Sequence, residues 1–261
     1  MKKILYILLI CIIFIMSIYI YNHNETRAQE VSNINKTTIN DTLNDYEDII
    51  IKRGNDNEKI IALTFDDGPD NVFTPQILDI LKKYDVKATF FLVGENVVWN
   101  SEIVKRENEE GHEIGNHTFT HINVAKRSYG EIDKEITDTQ EAIKKIIGKE
   151  PKLFRPPYRA ISRNMCSIVK EKDMNIILWS NLDPRDWSNP GVYSITNTIL
   201  TKSQNGTIIL LHDYNTVRNS KSQTIQALDI IIPKLKAQGY KFVTISQMIE
   251  HIDKQQETQK Q

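Results

Sequence analysis

The stretch LTFDDGPD, Leu63 to Asp70, places two adjacent carboxylates, Asp66 and Asp67, after an apolar run and before a Gly-Pro turn. The run Ile60 to Phe65 has the pattern of a short strand buried on both faces. Thr74-Pro75 then predicts a helix start, with Thr74 as the capping residue and Pro75 at the first helical position. Strand, acids, turn, helix is one βα unit. Two like charges at its hinge are either a solvated Asp-Asp-Gly turn or two groups with separate tasks at a built site.

Similar units continue along the chain. Asp48 to Gly54 predicts a first edge strand, and further strands are predicted at Ala88 to Val93, Lys152 to Phe154, Ile176 to Trp179, Thr207 to Leu211 and Phe242 to Ile245. Amphipathic stretches at Ser101 to Glu110, Glu131 to Ile147, Asn164 to Lys172, Tyr193 to Lys202 and Thr224 to Ala237 predict the helices between them. Alternation of this kind predicts an α/β domain on a mainly parallel sheet. Chemically capable residues recur where the apolar runs stop: Asp66-Asp67, Arg155, Asp183 and Asp186, and His212-Asp213. In a β/α barrel such positions converge at one face.

The two ends of the chain differ from this middle. Residues 1–21 hold two lysines followed by an uncharged apolar run, Ile4 to Tyr21. Its length fits a single membrane span with the N-terminus inside, and a cleaved secretory signal is the alternative. Either way the remainder is exported. Residues 22–47 are polar and predict a linker, 48–252 the folded domain, and 253–261 a polar tail. The formal net charge of -1 leaves no electrostatic case for nucleic acid. The two cysteines, Cys11 and Cys166, build neither a disulfide framework nor a CxxC metal site.

Candidate metal ligands come from His117-Thr-Phe-Thr-His121, whose spacing predicts two imidazoles on one face of a helical turn. Two histidines need an oxygen ligand to hold a borderline cation with open positions. One of the two opening aspartates can supply it; if Asp67 does, Asp66 is left to take a proton from a water whose pKa the cation lowers. The prolines of Arg155-Pro-Pro-Tyr158 make a rigid segment able to aim a backbone N–H at an oxyanion. Arg155 is suited to pair with a buried carboxylate. His212 beside an orienting carboxylate can act as a general acid, and Trp187 can stack on a sugar.

Taken in order, TFDDGP, HTFTH, RPPY, DPRDW and IILLHD resemble the five motifs of the polysaccharide deacetylase family, the NodB-homology domain of carbohydrate esterase family 4. The resemblance covers about Lys59 to Glu250. It implies a distorted, TIM-like (β/α) barrel in a single catalytic domain, and metal-dependent removal of N-acetyl groups from a glycan. Position by position it implies Asp66 as general base and Asp67, His117 and His121 as the metal triad. Arg155 would position the base, and the Tyr158 N–H would donate to the oxyanion. Asp186 would orient His212, the general acid. Pro156, Tyr158, Trp187 and Leu210 would border the substrate. The implied cofactor is Zn²⁺, with another divalent metal such as Co²⁺ as alternative. Arg159 departs from the glycine that the family often has there.

An export segment and a disulfide-free domain suit a Gram-positive-type surface, so the expected substrate is N-acetylglucosamine of peptidoglycan. N-acetylmuramic acid, chitin oligosaccharides, a poly-N-acetylglucosamine and acetylated xylan are the alternatives within the class. A non-catalytic glycan-binding protein is the alternative class. The expected working state is a monomer.

Overall fold

The computed structural model describes residues 41–180, 182–214 and 222–259, together with Met16, Tyr21, Asn24, Glu25 and Ile39. Most of the predicted membrane segment and linker, and part of the segment Tyr214 to Gln223, therefore lie outside the described residues. Among the described residues no helix is long and apolar enough to cross a membrane. The chain forms two units, Met1–Asp45 and Tyr46–Gln261, and the second carries the whole sheet.

The sheet has eight strands: β1 (Ile50–Ile51), β2 (Ile60–Asp66), β3 (Thr89–Leu92), β4 (Glu113–Asn116), β5 (Leu153–Phe154), β6 (Asn175–Ile177), β7 (Thr207–His212) and β8 (Lys241–Phe242). Their order is β1-β6-β5-β4-β3-β2-β7, and every pairing is parallel. β2 gives its last three residues to β3 and its first two to β8, so β8 fills the base of that edge. No ladder joins β7 to the β1/β6 side among the described residues. Single bonds do so instead. Ser180 N–H donates to the Ile208 carbonyl (3.2 Å), Ile208 N–H to Ser180 Oγ (3.0 Å), and Gly54 N–H to the Gly206 carbonyl (2.7 Å). The result is the distorted (β/α) barrel expected from the motifs.

Helices α1 (Phe73–Lys83), α2 (Gly94–Trp99), α3 (Ser101–Glu109), α4 (Tyr129–Ile147), α5 (Arg163–Glu171), α6 (Val192–Lys202), α7 (Gln223–Ala237) and α8 (Ile245–Gln259) complete the barrel. Side chains alternate across each strand. The outward row of β2, Ile61, Leu63 and Phe65, packs with Ile77, Leu78 and Leu81 of α1 and Leu228, Ile231 and Leu235 of α7. The inward row begins Ile60 and Ala62, which join Phe91, Leu153, Ile177 and Ile208, closed off by Ile245 and Met248 of α8. The same inward row continues to Thr64 and Asp66, and that of β7 to Leu210 and His212. The barrel interior is thus apolar at its base and polar at the carboxyl ends of the strands.

Three local expectations need correction. Thr74 does not cap α1, because the helix begins at Phe73. The opening N–H groups of Val72 and Phe73 are taken by Asp70 Oδ1 at 2.7 and 2.9 Å. Strand β4 was not expected, since Glu-Ile-Gly-Asn lacks strand composition. Gly115 is there because a Cβ would come within 2.5 Å of the Phe91 ring. At the C-terminus, α8 runs through Gln259, over most of the stretch expected to be a polar tail.

Candidate active site

Register brings the acids and histidines together. β2 and β7 pair Asp66 with His212. Asn116 ends β4 opposite Phe154 of β5, and Arg155 N–H donates to the Asn116 carbonyl at 2.9 Å. Four strand ends therefore deliver Asp66-Asp67, His117, Arg155 and His212 to one rim.

Asp67 follows β2 with φ of 77°, and its carbonyl accepts from Asn96 Nδ2 at 2.7 Å. This turn separates the two carboxylates. Asp67 Oδ1 lies 3.4 Å from His117 Nε2 and 3.2 Å from His121 Nε2. Asp66 is 3 % exposed and turns inward, where Oδ1 accepts from Arg155 Nη1 at 2.7 Å. Its Oδ2 stays 3.8 Å from His117 Nε2. The adjacent acids have different partners, as two tasks require.

The histidine spacing works by another route than the expected helical turn. Residues 117–123 form a loop after β4, with Thr118 and His121 at φ of 65° and 56°. Left-handed residues interrupt a helix, and here they fold the loop until both rings meet, 5.2 Å between centroids. Glu135 of α4 pins that loop. Its carboxylate accepts from the backbone N–H groups of Phe119 (2.8 Å) and Thr120 (2.7 Å) and from Thr120 Oγ1 (2.7 Å). Glu135 lies outside the five motifs, and only its helical position facing the loop connects it to the site.

Asp67, His117 and His121 are, among the described residues, the one group of three with ligand atoms close enough to hold a metal ion, all within 4.8 Å of each other. The chemistry fits. His117 Nδ1–H donates to the Arg155 carbonyl at 2.7 Å, which turns Nε2 toward Asp67. His121 Nδ1 meets the Tyr158 hydroxyl at 3.1 Å, which does the same. Outer hydrogen bonds of this kind orient imidazole ligands. Lone pairs of Nε2 and carboxylate would repel at these spacings without a cation or proton between them. Ligands about 2.1 Å from a tetrahedral Zn²⁺ stand about 3.4 Å apart, close to the spacings found. Burial works against the Asp67 charge, but hydrogen bonds from both histidines outweigh it and hold the carboxyl far below its ordinary range.

Across the rim, His212 Nδ1 lies 2.8 Å from Asp186 Oδ1, and its backbone N–H donates to Asp186 Oδ2 at 2.9 Å. Thr224 Oγ1 also donates to Oδ2, at 2.8 Å. Asp186 is buried behind the histidine. Burial disfavours the imidazolium, yet the charge and hydrogen bond of Asp186 prevail and raise the His212 pKa to about 10. His212 is thereby kept protonated at neutral pH, the state a general acid needs.

The pocket between these groups has a volume of about 470 Å³. Asp66, Asp67, both loop histidines and His212 line it, together with the expected border residues Pro156, Tyr158, Trp187 and Leu210. Trp179 and Asp183 line it as well and were not among the expected contacts. Tyr158 and Trp187, 66 % and 50 % exposed, stand at its mouth. Tyr158 has φ of 59° inside the turn Pro157–Arg159, a strained placement of the kind found at functional sites. Arg155 and Asp186 lie behind the wall and act on the lining groups.

The profile of the polysaccharide deacetylase family matches residues 53–177. A peptidoglycan-N-acetylglucosamine deacetylase of Bacillus cereus is 47 % identical over 196 residues, covering 75 % of this chain and 90 % of that protein. The chain belongs to the polysaccharide deacetylase family. Crystal structures agree with this. The Bc1960 peptidoglycan N-acetylglucosamine deacetylase superposes with a TM-score of 0.73 at 44 % identity, over 77 % of this deacetylase-family chain and 92 % of its own. A family 4 acetyl xylan esterase from Clostridium thermocellum, solved with a cobalt ion, gives 0.66 at 40 % identity over 73 % and 90 % of the two chains.

Proposed function

We propose that this chain is a metal-dependent N-deacetylase of the cell wall that hydrolyses the acetamide of N-acetylglucosamine in peptidoglycan and releases acetate. One observation carries the reading. A single pocket joins the Asp67–His117–His121 group, Asp66 on one flank, and His212 backed by Asp186 on the other. The peptidoglycan deacetylase similar over 75 % of the chain supports the choice of polymer.

Asp67, His117 and His121 would hold the cation, and we assign Zn²⁺ to them. When bound, it supplies Lewis-acid polarisation of the acetamide carbonyl and lowers the pKa of the attacking water. Asp66, fixed by Arg155, takes the proton from that water as the water's oxygen attacks the carbonyl carbon. The Tyr158 backbone N–H donates to the developing oxyanion. His212 gives its proton to the sugar nitrogen as the C–N bond breaks, so the amine leaves neutral. Pro156, Leu210 and Trp187 exclude water around the acetyl and sugar groups. The apolar run of residues 4–21 would tether the monomeric enzyme outside the membrane.

The test is acetate release by the purified protein from peptidoglycan and from chitin oligosaccharides, with added Zn²⁺ and with chelator. The expected result is chelator-sensitive release, faster from peptidoglycan. Zinc uptake without release from any acetylated glycan would replace this reading by a binding protein.

A further inference from the structure

A second groove adjoins the pocket, with Trp179 as their shared wall. Its volume is about 620 Å³, and it follows the barrel seam where Ser180 meets β7. Lys52, Arg53, Arg159 and Lys202 line it, and no acidic side chain does. Four cations converging here depart from a chain whose net charge is -1. Arg53 is compensated by an ion pair with Asp56. Lys52 and Lys202 are exposed and form no ion pair among the described residues. The Arg159 guanidinium lies over the Trp179 ring, 4.9 Å from its centroid, with Nη1 donating to the Trp179 carbonyl at 3.2 Å. Its other N–H groups make no hydrogen bond among the described residues. Arg159 holds this place at φ of 55°, a backbone conformation that costs an arginine energy and a glycine none.

We infer that this groove is a subsite for carboxylates carried by the glycan strand beside the sugar being deacetylated. Resting on the proposed function, the inference deepens it. Peptidoglycan strands bear carboxylates on their stem peptides, or on the lactyl group where the peptide has been removed, whereas chitin strands bear none. A planar guanidinium suits a carboxylate, and two flexible ammonium groups tolerate variation in where the next one falls. Trp179, shared by both cavities, puts the Arg159 guanidinium next to the acetyl pocket, with Lys52 and Lys202 farther along the groove.

The test is calorimetric binding to the zinc-loaded protein of a peptidoglycan tetrasaccharide bearing stem peptides and of chitotetraose. Deacetylation leaves the carboxylates untouched, so the comparison reads the groove whether or not turnover occurs. The expected result is about a threefold to tenfold preference for the peptide-bearing ligand, shrinking as salt is raised. Lys52→Glu/Lys202→Glu should abolish the preference, and Arg159→Gly, which relieves the left-handed backbone, should reduce it. Equal affinities in the wild type, or a preference that survives both variants, would overturn the inference. Acetate release without the preference would overturn it while leaving the deacetylase reading in place. The preference without release from any glycan would do the reverse.

Discussion

Arg155 and Asp66 form a buried pair, with Nη1 and Oδ1 2.7 Å apart and side chains 0 % and 5 % exposed. Arg155 Nη1 also reaches Thr64 Oγ1 (2.7 Å), Nε donates to the Ile177 carbonyl (3.2 Å), and the guanidinium lies 4.0 Å over the Phe91 ring. Burial alone lowers the Arg155 pKa, and the Asp66 charge works against that. Removing one member of such a pair leaves a buried charge alone, at a cost of about 3–5 kcal/mol. Arg155→Gln should therefore lose about that much unfolding free energy in urea. A loss of under about 1 kcal/mol would assign the arginine no stabilising part.

His212 predicts a pH dependence with a definite sign. Its folded pKa is about 10, against an ordinary 6.5. The folded state binds the extra proton, so this stabilisation is full below about pH 6.5 and is lost as pH rises through the folded value. Metal-free protein should lose stability between those limits, and His212→Gln should flatten the slope. In the loaded enzyme, Asp186→Asn should move the alkaline limb of the rate profile to lower pH. An unmoved limb would take the acid role from His212.

Glu135 should act on the metal without touching it. Glu135→Ala releases three donors of the 117–121 loop and should lower zinc affinity by about tenfold to a hundredfold, read by competition with a chelating dye. Unchanged affinity would show that β4 alone positions the loop.

Gly68 carries the turn after the two acids. An added Cβ would fall 2.0 Å from Asp213 Oδ2, whose carboxylate is buried and accepts from Thr74 Oγ1 at 2.6 Å. Gly68→Ala should displace this turn, costing about 1–3 kcal/mol of stability and most of the acetate release. Full activity with unchanged stability would show that the turn has room to spare.

Much of this was legible in the residues because strand ends carry their chemistry in short local words. Asp66-Asp67 and His212 each close an apolar run, and parallel register alone makes them neighbours. Glu135 and Thr224 act across the fold from helices whose local pattern shows only a surface or a helix start. The helical reading of His117 and His121 failed because spacing does not report backbone handedness. β4 was missed because its sequence is chosen for close approach to Phe91 rather than for strand propensity. Trp179 became a wall of two cavities only once Ser180, beyond β6, met β7 at the seam.

We propose that the adjacent aspartates divide the work, Asp67 holding the metal and Asp66 the proton. The direct test is zinc content and acetate release of Asp66→Asn on peptidoglycan, with Asp67→Asn beside it. Asp66→Asn should keep its zinc and lose about a hundredfold or more in kcat, whereas Asp67→Asn should lose the zinc itself. Zinc-loaded Asp66→Asn releasing acetate at the wild-type rate would contradict it.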